Sequence, residues 1–305
     1  MNKTIKTAIV MGYECNNNCL FCYVGDKKGK YPSMTTQQVK EELLRAKKRG
    51  VSFIDFNGGE PTIRKDIFEL VSYAKELGFR EIAVTSNGRM FYYEWFAKKI
   101  IDCGLNHAVI SIHGHKPELH DFLTQVSGSF KQATIGLKNL KEINPDMYIC
   151  INTVITRYNY KYLPEILKFV YKFGVDGIEF IFIHPRGNAW KLFDEIVPTY
   201  EEVSKIIPKT VEVGKNLGIK HMFFRYFPIC MMIGNYEYLS EFMAIRYLRE
   251  QHVAPDFVDL EVEKGRKLYG RVKGPQCKAC KFNSMCEGIW KEYAEKRGFD
   301  ELTPY

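Results

Sequence analysis

Strand and helix signals alternate along the first two thirds of the chain, and this alternation most limits the folds open to it. Residues 4–11 form a β-rich apolar run. After a loop, Thr35 stands as a helix cap before Val39, Leu43, Leu44 and Ala46 at helical spacing. Residues 51–56 read as a short strand that ends at Asn57-Gly58-Gly59. Ile67, Leu70, Val71, Ala74 and Leu77 line the next helix, closed by Gly78. Strands are predicted at 81–85, 107–112, 147–155 and 177–183. The helices between them cover 91–103, the stripe Phe130, Ala133, Leu137 and Leu140, and the stripe Leu163, Ile166, Leu167, Val170 and Phe173. A last stripe is Val203, Ile206, Ile207 and Val211. Six strand–helix units imply a parallel sheet with helices outside, and six are too few for the eight-fold barrel. The expected fold is α/β: a partial (β/α)6 TIM-like barrel over residues 1–215. Residues 216–305, where the alternation fades, are expected to form a small C-terminal domain. In such barrels chemistry gathers at the C-terminal ends of the strands.

A chain of 305 residues buries a full core and needs no disulfides to fold. No apolar run has the length of a membrane span, and the N-terminus lacks a signal-peptide pattern, so the expected compartment is the cytoplasm. Nine cysteines there read as metal sites rather than a disulfide framework. The formal charge of +8 is a weak clue. Solvated helix faces account for most of it, and no aromatic-plus-basic motif points to nucleic acid.

Cys15, Cys19 and Cys22 form C-x3-C-x2-C in one loop after the first strand. Three thiolates can grip three irons of a cubane and leave the fourth iron open; a zinc site is the competing reading. With Phe21 in the aromatic place, the loop resembles the motif of the radical S-adenosylmethionine (radical SAM) superfamily. A second motif of that family, Gly58-Gly59-Glu60-Pro61, stands after the second strand. The resemblance covers roughly residues 4–215. It implies that SAM binds the open iron of a [4Fe-4S] cluster and is cleaved by one electron to a 5′-deoxyadenosyl radical. That radical takes a hydrogen from an inert C–H bond. A reducing partner such as flavodoxin or ferredoxin follows from that chemistry.

The resemblance also implies roles. Phe21 lies near the adenine. Gly58 and Gly59 allow close backbone approach, and Glu60 accepts from the methionine ammonium. Ser86 and Asn87 hold the amino-acid part of SAM, Ser111 and His113 approach the ribose, and Asn152 points inward. Peptide-modifying relatives carry an arginine where this chain has Thr124; Arg157 or Arg186 is expected to take its place at the SAM carboxylate. His113, His115 and His120 are read as structural or SAM-contacting, not as a metal triad.

Cys277, Cys280 and Cys286 form C-x2-C-x5-C, which resembles the auxiliary-cluster region of these enzymes, called SPASM in its full form and Twitch when shortened. Trp290 stands where the full motif has its last cysteine. Cys230 is expected as a fourth ligand of one auxiliary [4Fe-4S] cluster. Cys103 reads as a core residue. Cys150 shares strand parity with Asn152, which makes it a candidate hydrogen donor inside the barrel. The expected substrate is a ribosomal peptide, with a small molecule as the alternative. Because the chain starts almost at its first strand, a separate partner is expected to recognise any leader peptide. The rival outside enzymology is an iron–sulfur electron carrier or a zinc protein.

Overall fold

The computed structural model describes residues 4–232, 234–242 and 248–305. Its first six strands are β1 (Thr4–Val10), β2 (Phe53–Asn57), β3 (Glu81–Ser86), β4 (His107–Ser111), β5 (Tyr148–Ile155) and β6 (Gly177–Phe182). They lie side by side, all parallel, in sequence order. Between them run α1 (Thr36–Lys48), α2 (Ile67–Glu76), α3 (Glu94–Cys103), α4 (Pro117–Thr124), α5 (Ser129–Ile143) and α6 (Leu163–Tyr171). The sequence explains these choices locally. Thr35 and Gln38 close a capping box on α1. On β5, burial alternates residue by residue, so Ile149, Ile151 and Ile155 meet the helices while Cys150 and Asn152 share the inner face.

The partial barrel is the fold observed, and it holds more strands than six. Beyond residue 215, β7 (His221–Arg225) pairs with β6, and β8 (Leu248–Val253) pairs with β1, both in parallel. The edge strand β9 (Val258–Asp259) runs antiparallel to β8. A separate two-stranded ribbon joins β10 (Arg271–Val272) to β11 (Ile289–Trp290), followed by helix Lys291–Arg297. Two smaller differences have plain causes. The 91–103 helix starts at Glu94, because Arg89–Tyr92 forms a 3-10 turn after Gly88. The 203–211 stripe is split into Tyr200–Ser204 and Ile207–Leu217, with Pro208 in the first turn of the second piece. The short helix α4 has no counterpart in the sequence reading. Among the described residues, no helix is long and apolar enough to cross a membrane.

β7 and β8 do not hydrogen-bond to each other; side chains inside the barrel join them instead. Arg225 Nη2 donates to Glu250 Oε2 at 2.8 Å and Nη1 to Glu179 Oε2 at 3.4 Å. Lys6 Nζ lies 2.9 Å from Asp55 and 3.8 Å from Glu250. Burial alone would raise the Glu250 carboxyl, but Arg225 and Lys6 hold it well below the carboxylate range.

Candidate active site and second cysteine site

The Cys15, Cys19 and Cys22 loop leaves the end of β1 and is tied down by four other segments. After β2, Gly59 N donates to Gly12 O at 2.9 Å and Glu60 N to Glu14 O at 2.8 Å. The fit is tight: a Cβ on Gly58 would lie 2.4 Å from Gly12 O, and one on Gly59 would lie 2.1 Å from Glu14 O. After β3, Arg89 Nη1 donates to Asn16 O and, at 2.9 Å, to Asn17 Oδ1. From α4, Leu123 O and Thr124 O each accept at 3.0 Å from Leu20 N and Asn18 N. After β6, Asn188 donates to Cys19 O and Cys22 O, each at 2.9 Å.

The three thiols are close enough to act on one another electrostatically. Burial raises all three, Cys15 to about 11, so each is a neutral thiol until a cation displaces its proton. Asn17 N already donates to Cys15 Sγ at 3.3 Å, and Asn87 Nδ2 stands 3.9 Å from the same sulfur. Among the described residues, no three His, Cys, Asp or Glu side chains are placed to share a single metal ion. Cubane ligands bind separate irons and so stand further apart than the ligands of one zinc. The donor set, all soft sulfur on one short loop, fits such a cluster.

Glu60 is buried, and its carboxylate is engaged within the protein. Oε1 accepts from Thr62 N at 3.0 Å, from the Thr62 hydroxyl, and from Ser86 Oγ at 2.8 Å; Oε2 accepts from Asn87 N at 2.7 Å. Ser86 Oγ in turn accepts from Gly88 N at 3.0 Å. Both residues therefore shape the turn that places Asn87 and Arg89 over the cysteine loop. The structure brings Asn87 to that loop and leaves Glu60 one oxygen with spare acceptor capacity.

At the ends of β4 and β5, the register sets Ser111 beside Asn152 and Val109 beside Cys150. His113 packs its ring against Phe21, with centroids 4.5 Å apart. Its Nδ1 accepts from Val154 N at 3.2 Å, and its own N–H donates to His120 Nδ1 at 3.1 Å. Burial holds the imidazole of His113 well below its usual range, so it is neutral with its proton on Nε2. Burial likewise raises the Cys150 thiol to about 12, which keeps its S–H intact.

Arg157 is exposed and donates to Val197 O at 3.3 Å, and Arg186 Nε stands 3.7 Å from Glu292. Among the described residues, neither side chain donates a hydrogen bond to the cysteine loop. Arg89 does, and a basic residue two positions after the Asn87 turn was the only available sign of it.

The second cysteine site draws on distant parts of the chain. Cys230, Cys277, Cys280 and Cys286 all line one small cavity, together with Pro228 and Phe282. Cys230 interacts electrostatically with Cys277 and Cys286, and Gly288 N donates to Cys286 Sγ at 3.3 Å.

The sequence profile of the radical SAM superfamily matches residues 9–170, more than half of the chain. The chain belongs to the radical SAM superfamily. Radical SAM proteins are enzymes that use SAM and a [4Fe-4S] cluster, and the matched span contains the first cysteine loop and the Gly58-Gly59-Glu60-Pro61 segment. A protein named Probable GTP 3′,8-cyclase from Saccharolobus islandicus is 28% identical over 221 residues, covering 72% of this chain and 69% of that one. An AdoMet-dependent heme synthase from Oleidesulfovibrio alaskensis is 32% identical over 192 residues, covering 62% of this chain and 48% of that one. In fold, this radical SAM chain is similar to Streptococcus suis SuiB bound to precursor peptide SuiA, with a TM-score of 0.71 and 16% identity over 99% of this chain and 75% of that one.

Proposed function

We propose that Cys15, Cys19 and Cys22 hold the SAM-binding [4Fe-4S] cluster, and that Cys230, Cys277, Cys280 and Cys286 hold one auxiliary [4Fe-4S] cluster within residues 216–305. The observation that carries the second half is the meeting of four thiols around one cavity. When bound, the SAM cluster and SAM supply a 5′-deoxyadenosyl radical for hydrogen abstraction from the substrate. The chain's own residues do the rest. Glu60, through Ser86 and Asn87 N, sets the turn beside Cys15. Arg89 fixes the loop backbone. Gly58 and Gly59 let β2's extension lie flat on the loop. Phe21 and His113, packed ring to ring, would hold the adenosyl group, and Ser111 and Asn152, side by side in register, would hold its ribose. Cys150, deeper on the same face, would give its S–H hydrogen atom to the substrate radical, and the thiyl radical left on its sulfur would be restored by one electron from a reduced flavodoxin or ferredoxin and a proton from solvent.

The substrate is a peptide or a small molecule. The whole-length likeness to SuiB, whose structure holds a precursor peptide, supports a peptide. The relatives named GTP 3′,8-cyclase support a small molecule. A reduced flavodoxin or ferredoxin delivers the electron.

Anaerobic reconstitution tests the core of this reading. About eight irons per chain are expected, with reductive cleavage of SAM to 5′-deoxyadenosine. Joint replacement of Cys15, Cys19 and Cys22 by alanine should abolish cleavage and leave about half the iron. Zinc in place of iron, or cleavage that survives this replacement, refutes it. For the hydrogen donor, Cys150→Ala should keep SAM cleavage and change the product; an unchanged product and turnover removes Cys150 from the reaction.

A further inference from the structure

Buried polar atoms that lack partners gather at one place in this molecule. Where β6 and β7 end against β10 and β11, Arg266 Nη1, Arg271 Nε, Arg271 Nη1 and Trp290 Nε1 are four buried donors without a hydrogen-bond acceptor. Arg271 and Trp290 are each only 4% exposed. Their side chains are held, yet not used up. Arg271 Nη2 donates to Gly288 O and, at 3.1 Å, to Tyr226 O, and the guanidinium lies 4.6 Å over the Trp290 ring. Arg266 grips Glu287 with Nε and Nη2 at 2.6 and 2.8 Å, which leaves Nη1 spare. Trp290 is stacked flat on His184 at 3.8 Å, so its ring plane is fixed.

Tyr226 sits at the centre of the group. Its ring centroid lies 5.1, 5.5 and 5.8 Å from the guanidiniums of Arg225, Arg266 and Arg271. Its edge meets Trp290 at 4.6 Å. Its backbone has φ +70, a left-handed conformation that a bulky side chain rarely adopts, and Glu241 Oε1 holds it there by accepting from Tyr226 N at 2.6 Å. Two buried acceptors without a partner stand in the same neighbourhood, Glu241 Oε2 and, against the His184 ring that stacks on Trp290, Glu292 Oε2. Three guanidiniums around the ring face the carboxylates of Glu241 and Glu287. Arg225 reaches in addition to Glu179 and Glu250 inside the barrel.

Unpartnered buried donors carry a desolvation penalty that a ligand removes when it binds. Four donors in fixed orientation, three from two guanidiniums and one from the indole, match an acceptor-rich, negatively charged group that bridges them. A water molecule can accept two such bonds but brings no charge. We infer that Arg266, Arg271 and Trp290 Nε1 form a subsite for an oxyanion carried by the substrate, a carboxylate or a phosphoryl group. The inference rests on the proposed function in one respect, that the bearer of the anion is the substrate of the radical chemistry. It gives Trp290, the residue at the place of the missing cysteine, a task of its own. Tyr226 then marks the border between the barrel interior and this subsite.

The test is calorimetric titration of the reconstituted, SAM-loaded protein with inorganic phosphate, pyrophosphate and N-acetylglutamate. Saturable binding of one anion per chain is expected for at least one probe. Binding of the phosphoryl probes alone assigns a phosphorylated substrate, and binding of N-acetylglutamate alone assigns a carboxylate. Arg271→Gln should weaken binding at least tenfold. Trp290→Phe keeps an aromatic ring against His184, removes the Nε1 donor together with part of the indole, and should weaken binding several-fold. No saturable binding of any probe, or unchanged affinity in Trp290→Phe, overturns the inference, and the second outcome decides even if Arg271→Gln fails to fold. SAM cleavage by the unmodified protein is followed on the same samples. Its absence overturns the proposed function, whereas cleavage without anion binding overturns the subsite alone.

Discussion

Replacement of Gly59 by alanine isolates a single contact between the Gly58-Gly59-Glu60 segment and the cysteine loop. Gly58 is unsuitable, because its φ of +142 adds backbone strain to any substitution. Gly59 has no such backbone demand, so the added methyl acts only through space. Its Cβ would lie 2.1 Å from Glu14 O, 2.6 Å from Glu14 C and 2.6 Å from Tyr13 C. All three are main-chain atoms, which cannot rotate out of the way. The loop must retreat by more than an ångström, and the bonds Gly59 N to Gly12 O and Glu60 N to Glu14 O go with it. Overpacking costs about 1–3 kcal/mol. The two hydrogen bonds add about 1 kcal/mol each. A loss of about 3–5 kcal/mol is therefore expected, concentrated at the residues before Cys15. Gly50→Ala is the matched control: its Cβ meets nothing within 4 Å, and only the φ of +77 opposes it, at about 1–2 kcal/mol. Iron content, urea unfolding and SAM cleavage are measured on both. Gly59→Ala should lose the N-terminal cluster and cleavage, while Gly50→Ala keeps both. A Gly59→Ala protein with full iron, normal cleavage and an unshifted midpoint would refute the claim that this contact shapes the cluster loop.

Arg89→Met should lower SAM cleavage at least tenfold, because the bonds to Asn16 O, Asn17 Oδ1 and Gln132 disappear, while thermal unfolding shifts little; equal cleavage would remove Arg89 from the site. Glu250→Gln should destabilise the barrel by about 3–5 kcal/mol, since Arg225 and Lys6 lose a buried counter-charge, and urea midpoints at neutral pH will measure it. The same carboxylate dictates a pH dependence. Its folded pKa is depressed, so its contribution is full above its unfolded value of about 4.3 and is lost as pH falls below it; Glu250→Gln should flatten that acid limb, and parallel acid limbs would contradict the assignment. Cys230→Ser should lower the iron of the auxiliary site without abolishing SAM cleavage; unchanged iron content and cluster spectra would return Cys230 to the core.

What the sequence disclosed followed the range of the interactions. β1 to β6 were readable because each buries an apolar face under a helix, as Ile54 and Phe56 do on β2. β8 was not, because Glu250, Gln251 and His252 look like loop residues. Their reason lies far away in sequence: Glu250 meets Lys6 and Arg225, and Gln251 accepts from Thr7 Oγ1 at 3.0 Å and Arg49 Nε at 3.1 Å. The first cysteine loop was legible since its three cysteines fall within eight residues. The grouping of Cys230 with the three late cysteines had only a nearby proline to suggest it. Glu60 shows the limit from the other side. Its position was evident from the motif, but its bonds to Ser86 and Asn87 depend on how the end of β3 turns.

The ties on the cysteine loop also fix an order of events during synthesis. Cys19 and Cys22 have their carbonyls bound by Asn188, so a ribosome that has just released residue 22 has made three thiols and no socket. At about 5–20 residues per second, many seconds pass before Asn188 emerges. Throughout that interval the thiols are open to oxidation or to any soft metal at hand. Correct loading is thus a matter of timing: iron and sulfide delivered before β6 has docked meet an unfinished cradle, and delivery after it meets the closed one.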